Sequence, residues 1–392
     1  MSVVAIILFA LSGLVTLVWA SRHVMICVER RDGFLLAGDY AGPPNDAPHL
    51  SVLVAAKDEE QVIERCVRTM LDQDYLDFEL IVCNDRSEDA TAEIVHRIAA
   101  EDPRVRLVNI KSLPDGWCGK NNAMQTGIAS SRGEWICMID ADCWQTSLRT
   151  LSVAMQYARE TGADLLSVLP TLEMKGFWEN VIQPVCSGVM MIWFNPDEVN
   201  DPASPAAYAN GAFMLIKRSA YEAIGTHAAV RDQVNEDMHI AAHVKQAGLN
   251  LRVVRNDGLY RVRMYTSFKQ ILRGWGRIFY GTFGTLRRLT VSLLVLIVMG
   301  LVPYLAAVLG LAMAADRAGA WWLACGAAGV IAAAMQVTVI YRFYSLIGAR
   351  KWLAWTYPLG CAVATAAVMV SLSKLRKGAK LTWRGTSYPS GG

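Results

Sequence analysis

The chain has 392 residues, a formal net charge of +3, 53% hydrophobic residues and nine cysteines. Its mean hydropathy is positive. This suits a soluble domain of roughly 240 residues with membrane segments at both ends. There is no internal repeat, no low-complexity run and no nucleic-acid-binding patch, and the absence of any Cys-x-x-Cys pair fits buried, unpaired thiols in a reduced cytosolic setting.

Residues 3–20 are charge-free and long enough to span a bilayer. No positive n-region or Ala-x-Ala site marks them as a cleaved signal peptide, so an anchor over 1–22 is expected. Further apolar stretches lie near 290–314, 320–341 and 353–372, giving about three C-terminal spans over 290–373. Arg22, Arg30 and Arg31 follow the first span, and Arg273, Arg277, Arg287 and Arg288 precede the second. The positive-inside rule then makes 21–289 cytoplasmic and the protein an integral one of a bacterial-type inner or plasma membrane. Arg350 and Lys351 place the next loop inside as well. The basic tail over 374–392 conflicts with this: Lys374, Arg376, Lys377, Lys380 and Arg384 ask to be inside, yet three further spans put them outside. Either one stretch is re-entrant, broken at Pro303 or Pro358, or the tail violates the rule.

Between the membrane segments, residues 45–264 alternate strand and helix patterns. Leu50–Ala56 reads as a buried strand, followed by a helix with Ile63, Cys66, Val67 and Met70 on one face. Phe78–Cys83 is a second strand, 89–100 a helix and Val105–Val108 a third strand. The alternation predicts an α/β fold with a mostly parallel sheet and flanking helices. Ligands in such sheets bind beyond the carboxyl ends of the strands. Asp58, Asp85, Asp140 and Asp142 all fall there. Each alone reads equally as a helix cap or a solvated turn, but four carboxylates on one rim are harder to explain by capping.

Asp140-Ala141-Asp142 closes the apolar run Glu134–Ile139. Two neighbouring carboxylates raise each other's pKa unless a cation joins them. Hard oxygen ligands suit Mg²⁺ or Mn²⁺ on a substrate diphosphate. Upstream, Gly116-Trp117-Cys118-Gly119-Lys120 precedes a helix start. Two glycines, a lysine and a helix N-terminus make a phosphate or nucleotide edge. No Gly-x-Gly-x-x-Gly or Gly-Lys-Ser/Thr loop is present, which argues against dinucleotide oxidoreductases and P-loop NTPases. Glu236-Asp237 opens an amphipathic helix. The pair either complements the helix dipole or supplies a general base. His239 and His243 share that helix without the glutamate of a zinc-protease motif.

Phe268, Ile271, Leu272, Trp275, Phe279, Phe283 and Leu286 fall on one helical face among basic residues. This predicts an in-plane amphipathic helix within 265–289, with ordinary domain packing as the alternative. Val185–Phe194 is too short to span, and reads as a core helix or a lip admitting a lipid tail.

Together these pieces resemble the membrane-anchored family 2 glycosyltransferases of GT-A fold. The resemblance is strongest to hopene-associated glycosyltransferases, and more distant to ceramide and carotenoid glucosyltransferases. It rests on Ala56-Lys57-Asp58-Glu59-Glu60, Asn84-Asp85-Arg86-Ser87, Gly116–Lys120, Asp140-Ala141-Asp142, Asn210-Gly211-Ala212-Phe213-Met214 and Glu236-Asp237, in that order. Arg342-Phe343-Tyr344 and Trp383-Arg384-Gly385 carry the hopene-associated part. The resemblance implies an inverting transfer of one sugar from a nucleotide-sugar, a UDP-sugar by family habit, to a hydroxyl of a membrane lipid. In it Asp58 and Asp85 grip uracil and ribose, and Lys120 lies near the nucleotide or diphosphate. Asp140 meets the ribose or sugar, Asp142 holds Mg²⁺ or Mn²⁺, and Asp237 is the base with Glu236 beside it. Gln270-Ile271-Leu272-Arg273-Gly274-Trp275 resembles the Gln-x-x-Arg-Trp segment of processive synthases with a glycine inserted, which leaves Arg273 and Trp275 as acceptor-side candidates. A processive polysaccharide synthase and a non-catalytic membrane scaffold of the same fold are the competing readings.

Overall fold

The computed structural model describes residues 3–27, 34–37, 46–316, 319–375, 380–383 and 386–389. Of the residues singled out above, Arg30, Arg31, Arg376, Lys377, Arg384 and Gly385 lie outside these. The chain divides into two compact units. One, the sheet unit, comprises 33–173 and 191–264; the other, the helical unit, comprises 1–32, 174–190 and 265–392.

The sheet unit is built on strands β1 (Leu35–Ala37), β2 (Leu50–Ala56), β3 (Phe78–Asp85), β4 (Val105–Ile110) and β5 (Trp135–Asp140), then β6 (Cys143–Gln145), β7 (Leu165–Leu169), β8 (Thr171–Leu172), β9 (Phe213–Lys217), β10 (Leu251–Asp257) and β11 (Tyr260–Val262). Eight of them form one sheet in the order β1-β10-β7-β9-β5-β2-β3-β4. Only β9 runs antiparallel to its neighbours in it. β6, β11 and β8 make a small second sheet. The chain moves outward from β2 to β3 and β4, then returns to the other side of β2 with β5. That reversal opens a crevice at the carboxyl ends of β2 and β5.

Strand periodicity explains why this sheet is apolar on both faces. Val52, Val54, Leu80, Val82, Cys137 and Ile139 enter one buried cluster, and their neighbours Leu53, Ile81, Cys83, Ile136 and Met138 enter another. Helices cover both. Helix α2 (Ile63–Leu71) buries Ile63, Cys66, Val67 and Met70 at helical spacing. With α3 (Thr91–Glu101) it lies on the first face, while α4 (Gly119–Ala129) covers the second. α5 (Thr150–Glu160) completes this half of the unit. The strand expected over 105–108 extends to Ile110.

Residues 174–190, within the boundaries 45–264 expected for the catalytic domain, cluster instead with the helical unit. They form most of α6 (Phe177–Trp193), whose Val181, Ile182, Val185, Cys186 and Val189 are buried. Met191 and Ile192 at its end are exposed. The sheet unit also holds α7 (Pro196–Asn200), α8 (Arg218–Ala223) and α9 (Glu236–Gln246).

The helical unit contains α1 (Val3–Cys27), α10 (Phe268–Phe283), α11 (Leu286–Gly300), α12 (Val302–Ala315), α13 (Ala320–Leu346) and α14 (Tyr357–Ser373). Among the described residues, three segments are long and apolar enough to cross a membrane: Val3–Val24, Ala320–Leu346 and Lys351–Ser373. α11 and α12 form a bent pair, turning by 41° at Leu301, just before Pro303. Glycines let α12 and α13 touch backbone to backbone, since a Cβ on Gly310, Gly326 or Gly329 would meet main-chain atoms of the opposite helix. α10 buries Ile271, Trp275, Phe279 and Phe283. Leu286 is not on it: Gly284, at φ +56°, ends the helix, and Leu286 starts the next.

Gly127 of α4 faces Cys83 and Leu53, and any Cβ there would collide with the Cys83 sulfur. Gly127→Val is expected to cost about 1–3 kcal/mol by overpacking, read as a lower thermal midpoint of the detergent-solubilised protein. An unchanged midpoint would mean that α4 is not closely packed on β3.

Candidate active site

The sheet brings the predicted carboxylates to one rim. Ala55 of β2 pairs with Asp140 of β5, and Ala56 pairs with Asn84 of β3. The loops carrying Asp58, Asp85 and Asp142 therefore leave the sheet at adjacent positions. Two of these loops contain non-glycine residues in the left-handed region, Asp58 at φ 54° and Arg86 at φ 57°. Such backbone costs of order 1 kcal/mol or more and persists where surrounding bonds hold it. They do here. Asp58 N donates to Ser87 Oγ at 3.0 Å, and Asp58 Oδ1 accepts from Glu88 N at 2.8 Å. Lys57 Nζ donates to the Arg86 carbonyl at 3.1 Å. Glu60 accepts from Ala90 N at the start of α3, and so caps that helix from another loop. The second glutamate of Glu59-Glu60 thus has a structural role that sequence reading missed.

Asp85 does not cap α3. Its buried carboxylate pairs with the Arg86 guanidinium, Nε to Oδ1 at 2.8 Å and Nη2 to Oδ2 at 3.1 Å. Gly119, the first residue of α4, lies directly against Asp85 Oδ2, where no Cβ would fit. The glycine in Gly119-Lys120 therefore admits the Asp85–Arg86 pair to the start of α4.

Lys120 is the hub. Its ammonium lies 2.7 Å from Asp140 Oδ1 and 2.7 Å from Glu236 Oε1. Burial pulls its pKa down, but Asp140, Glu236 and Asp237 outweigh that and hold it well above the usual lysine range. Asp237 accepts from Gly211 N at 2.8 Å and from its neighbour Met238 N at 2.8 Å. Burial and the adjacent Glu236 push its carboxyl up to about 7, against the opposing pull of Lys120 and the two N–H groups. Glu236, with a side chain only 5% exposed, serves as a fixed counter-ion to Lys120.

Gly211 belongs to the Asn210-Gly211-Ala212 segment. A Cβ there would lie 3.0 Å from Lys120 Nζ and 3.4 Å from Asp237 Oδ2. Asn121, fully buried, sends its amide to the carbonyls of Val230, Arg231 and Gln233 at 2.7, 3.2 and 2.9 Å. It thereby ties α4 to the loop that delivers Glu236 and Asp237. Neither role has a sequence signal beyond residue type, because both depend on contacts distant along the chain.

Asp142 sits half-buried in the turn between β5 and β6. Among the described residues no group of three or more His, Cys, Asp and Glu side chains could hold a metal ion. Asp140 is paired with Lys120, so a hard cation at Asp142 would draw the rest of its shell from a bound diphosphate and water. Arg273 and Trp275 fall in the helical unit, on α10. Arg273 is exposed, whereas Trp275 is 5% exposed and packs on Phe279. The inserted Gly274 has a packing reason: the Tyr265 ring lies against its Cα, where a Cβ would collide with it.

Residues 51–225 match the family model for glycosyl transferase family 2. This segment is thus similar to that family over 175 of the chain's 392 residues. The chain is 23% identical over 244 residues to a 4,4'-diaponeurosporenoate glycosyltransferase of Staphylococcus haemolyticus, covering 62% of this chain and 64% of the relative. It is 28% identical over 181 residues to a beta-monoglucosyldiacylglycerol synthase of Trichormus variabilis, covering 45% and 37%. In both cases the match spans less than two thirds of the relative's own length. A mannosyltransferase from Pyrobaculum calidifontis, PcManGT, solved with GDP-Man and Mn²⁺, superposes with a TM-score of 0.54 at 19% identity, covering 94% of this chain and 97% of that one. The fold is GT-A.

Lys120→Met should leave Glu236 buried and unpaired, costing about 3 kcal/mol or more. Adding Glu236→Gln should restore a large part of that loss in a thermal-melt double-mutant cycle. Strictly additive effects would contradict the pairing.

Proposed function

We propose that this protein is an inverting glycosyltransferase that moves one sugar from a nucleotide-sugar, a UDP-sugar, to a hydroxyl of a membrane lipid. The observation that carries the reading is the Asp237 carboxylate, held by Gly211 N beside the Lys120–Asp140–Glu236 cluster at the open end of the sheet. The nucleoside rests against Asp58 and Asp85, whose loops are already stitched together. Its diphosphate faces Asp142, which would hold Mg²⁺ or Mn²⁺, while Asp140 meets the ribose or sugar. The metal supplies Lewis-acid stabilisation of the departing diphosphate.

Asp237 does the proton chemistry. The acceptor hydroxyl gives its proton to this carboxylate as its oxygen bonds to the anomeric carbon. The bond from that carbon to the diphosphate breaks, and the nucleoside diphosphate leaves with the electron pair. Attack opposite the leaving group inverts the anomeric configuration. A carboxylate with its pKa raised toward neutrality is a stronger base than an exposed aspartate, and it still ionises at working pH. Lys120 pairs with Asp140 and Glu236, and Asp237 beside them is the carboxylate raised toward neutrality.

A lipid acceptor is supported by the apolar helices flanking the domain and by the names of the carotenoid and diacylglycerol relatives. The finer placing beside hopene-associated enzymes rests on Arg342-Phe343-Tyr344, whose Arg342 reaches His23 of α1 at 3.2 Å. It rests also on Trp383-Arg384-Gly385, of which Arg384 and Gly385 lie outside the described residues.

The test is transfer of radiolabelled sugar from UDP-sugars to an extracted membrane-lipid fraction. Asp237→Asn should lower kcat by about 10²–10⁴-fold with nucleotide-sugar binding retained. The wild-type rate should rise with pH through about 7 and then level off, because the base must be unprotonated. Gly211→Ala, whose methyl presses on both Lys120 and Asp237, should lower kcat by up to about 100-fold with KM for the donor little changed. Full activity of Asp237→Asn would reject the assignment.

A further inference from the structure

We infer that α14 does not cross the membrane but lies within the leaflet on the side where the sheet unit's chain enters, so that the C-terminal tail emerges on that same side. Composition alone makes Lys351–Ser373 a span. Contacts within the helical unit argue otherwise.

Sidedness starts from chain continuity. α1 precedes the sheet unit in the chain, and α13 runs parallel to α1. Phe9 stacks edge-on against Trp321 near one end, with ring centroids 6.1 Å apart. His23 Nδ1 meets Arg342 Nη1 at 3.2 Å near the other. The end of α13 at Leu346 therefore shares a side with the end of α1 that leads into the sheet unit. α6 gives an independent marker. Its residues 174–190 are bounded in the chain by 173 and 191, both of the sheet unit, so α6 starts and finishes on one side. The loop after α13 is bound to it. Arg350 N donates to Asn180 Oδ1 at 2.9 Å, and Arg350 Nη2 donates to the Lys175 carbonyl at 2.8 Å.

Both ends of α14 then dock on helices of that side. Near its start, Gly360 lies on α6 so closely that a Cβ would strike the Val181 carbonyl and Val185. Near its end, Ser371 Oγ donates to the Gly276 carbonyl of α10 at 2.7 Å. α10 follows the sheet unit almost at once, its Phe268 packs on Trp178 of α6 with centroids 4.8 Å apart, and it carries Lys269, Arg273 and Arg277. A helix tied at both ends to α6 and α10 returns to the side it left. The crossings are then α1, the bent α11–α12 pair and α13. The α11–α12 pair, bent by 41°, is counted in this proposal as one broken span.

This arrangement removes the conflict in charge placement. Arg22, Arg273, Arg277, Arg287, Arg288, Arg350, Lys351 and Lys374 fall on one side, as the positive-inside rule requires. It also explains the surface of the segment. Trp352 and Trp355, 63% and 64% exposed, precede α14, and Leu359 and Met369 are exposed along it. Indoles next to Arg350 and Lys351 suit the headgroup layer, and the aliphatic residues suit the acyl chains beneath. The partner of this face is the lipid leaflet itself.

The test uses the full-length protein in membrane vesicles of defined orientation, labelled with a membrane-impermeant maleimide. One variant carries a cysteine appended after Gly392 and the other carries Glu88→Cys in the sheet unit, with wild-type labelling subtracted. Both cysteines should be reached from the same face, and both from either preparation once detergent opens the vesicles. Labelling of the appended cysteine from the face opposite to Glu88→Cys would overturn the proposal.

Discussion

The ammonium of Lys120, held between Asp140 and Glu236, is the constraint on which the rest of the site depends. Three strand and helix ends bring acidic groups into a half-buried rim, and a charge taken out of water must be paired. Lys120 pairs two of them at 2.7 Å each. Burial and the neighbouring Glu236 push the Asp237 carboxyl up toward neutrality, against the pull of the lysine and two N–H groups. The same ion cluster that closes the balance for its neighbours leaves one carboxylate poised to take a proton.

Small residues make that cluster possible. Gly119 leaves room for the Asp85–Arg86 pair at the start of α4, and Gly211 leaves room for Lys120 and Asp237. In the helical unit, Gly310, Gly326 and Gly329 let α12 and α13 approach, Gly360 seats α14 on α6, and Gly274 seats Tyr265 on α10. In each case the absent Cβ is replaced by an atom from elsewhere in the fold.

Much of the sheet was legible in the chain. Apolar runs ending in Asp85 and Asp140 are what a buried parallel strand with a functional tip looks like, and both carboxylates stand where the runs end. The helix face of Ile63, Cys66, Val67 and Met70 followed from spacing. The links among site residues were not legible. Lys120 meets Glu236, Asn121 meets the carbonyls before α9, and Glu60 caps α3, each through contacts far apart in sequence that no periodicity encodes. Asp85 read equally well as a helix cap, and only the position of Arg86 decides otherwise. The membrane segments show the same division. Their apolar character was plain, and Pro303 or Pro358 stood out as breakers, but hydropathy cannot register that both ends of α14 are docked on α6 and α10. Likewise Leu286 fits the periodic face of α10, until Gly284 turns the chain away.

The most direct measurement is mass spectrometry of total lipids from cells expressing the wild-type protein or Asp237→Asn at equal membrane levels. A lipid heavier by one hexose or hexuronic acid should appear only with the wild type. Identical lipid profiles, with candidate acceptors present and both proteins intact, would contradict it.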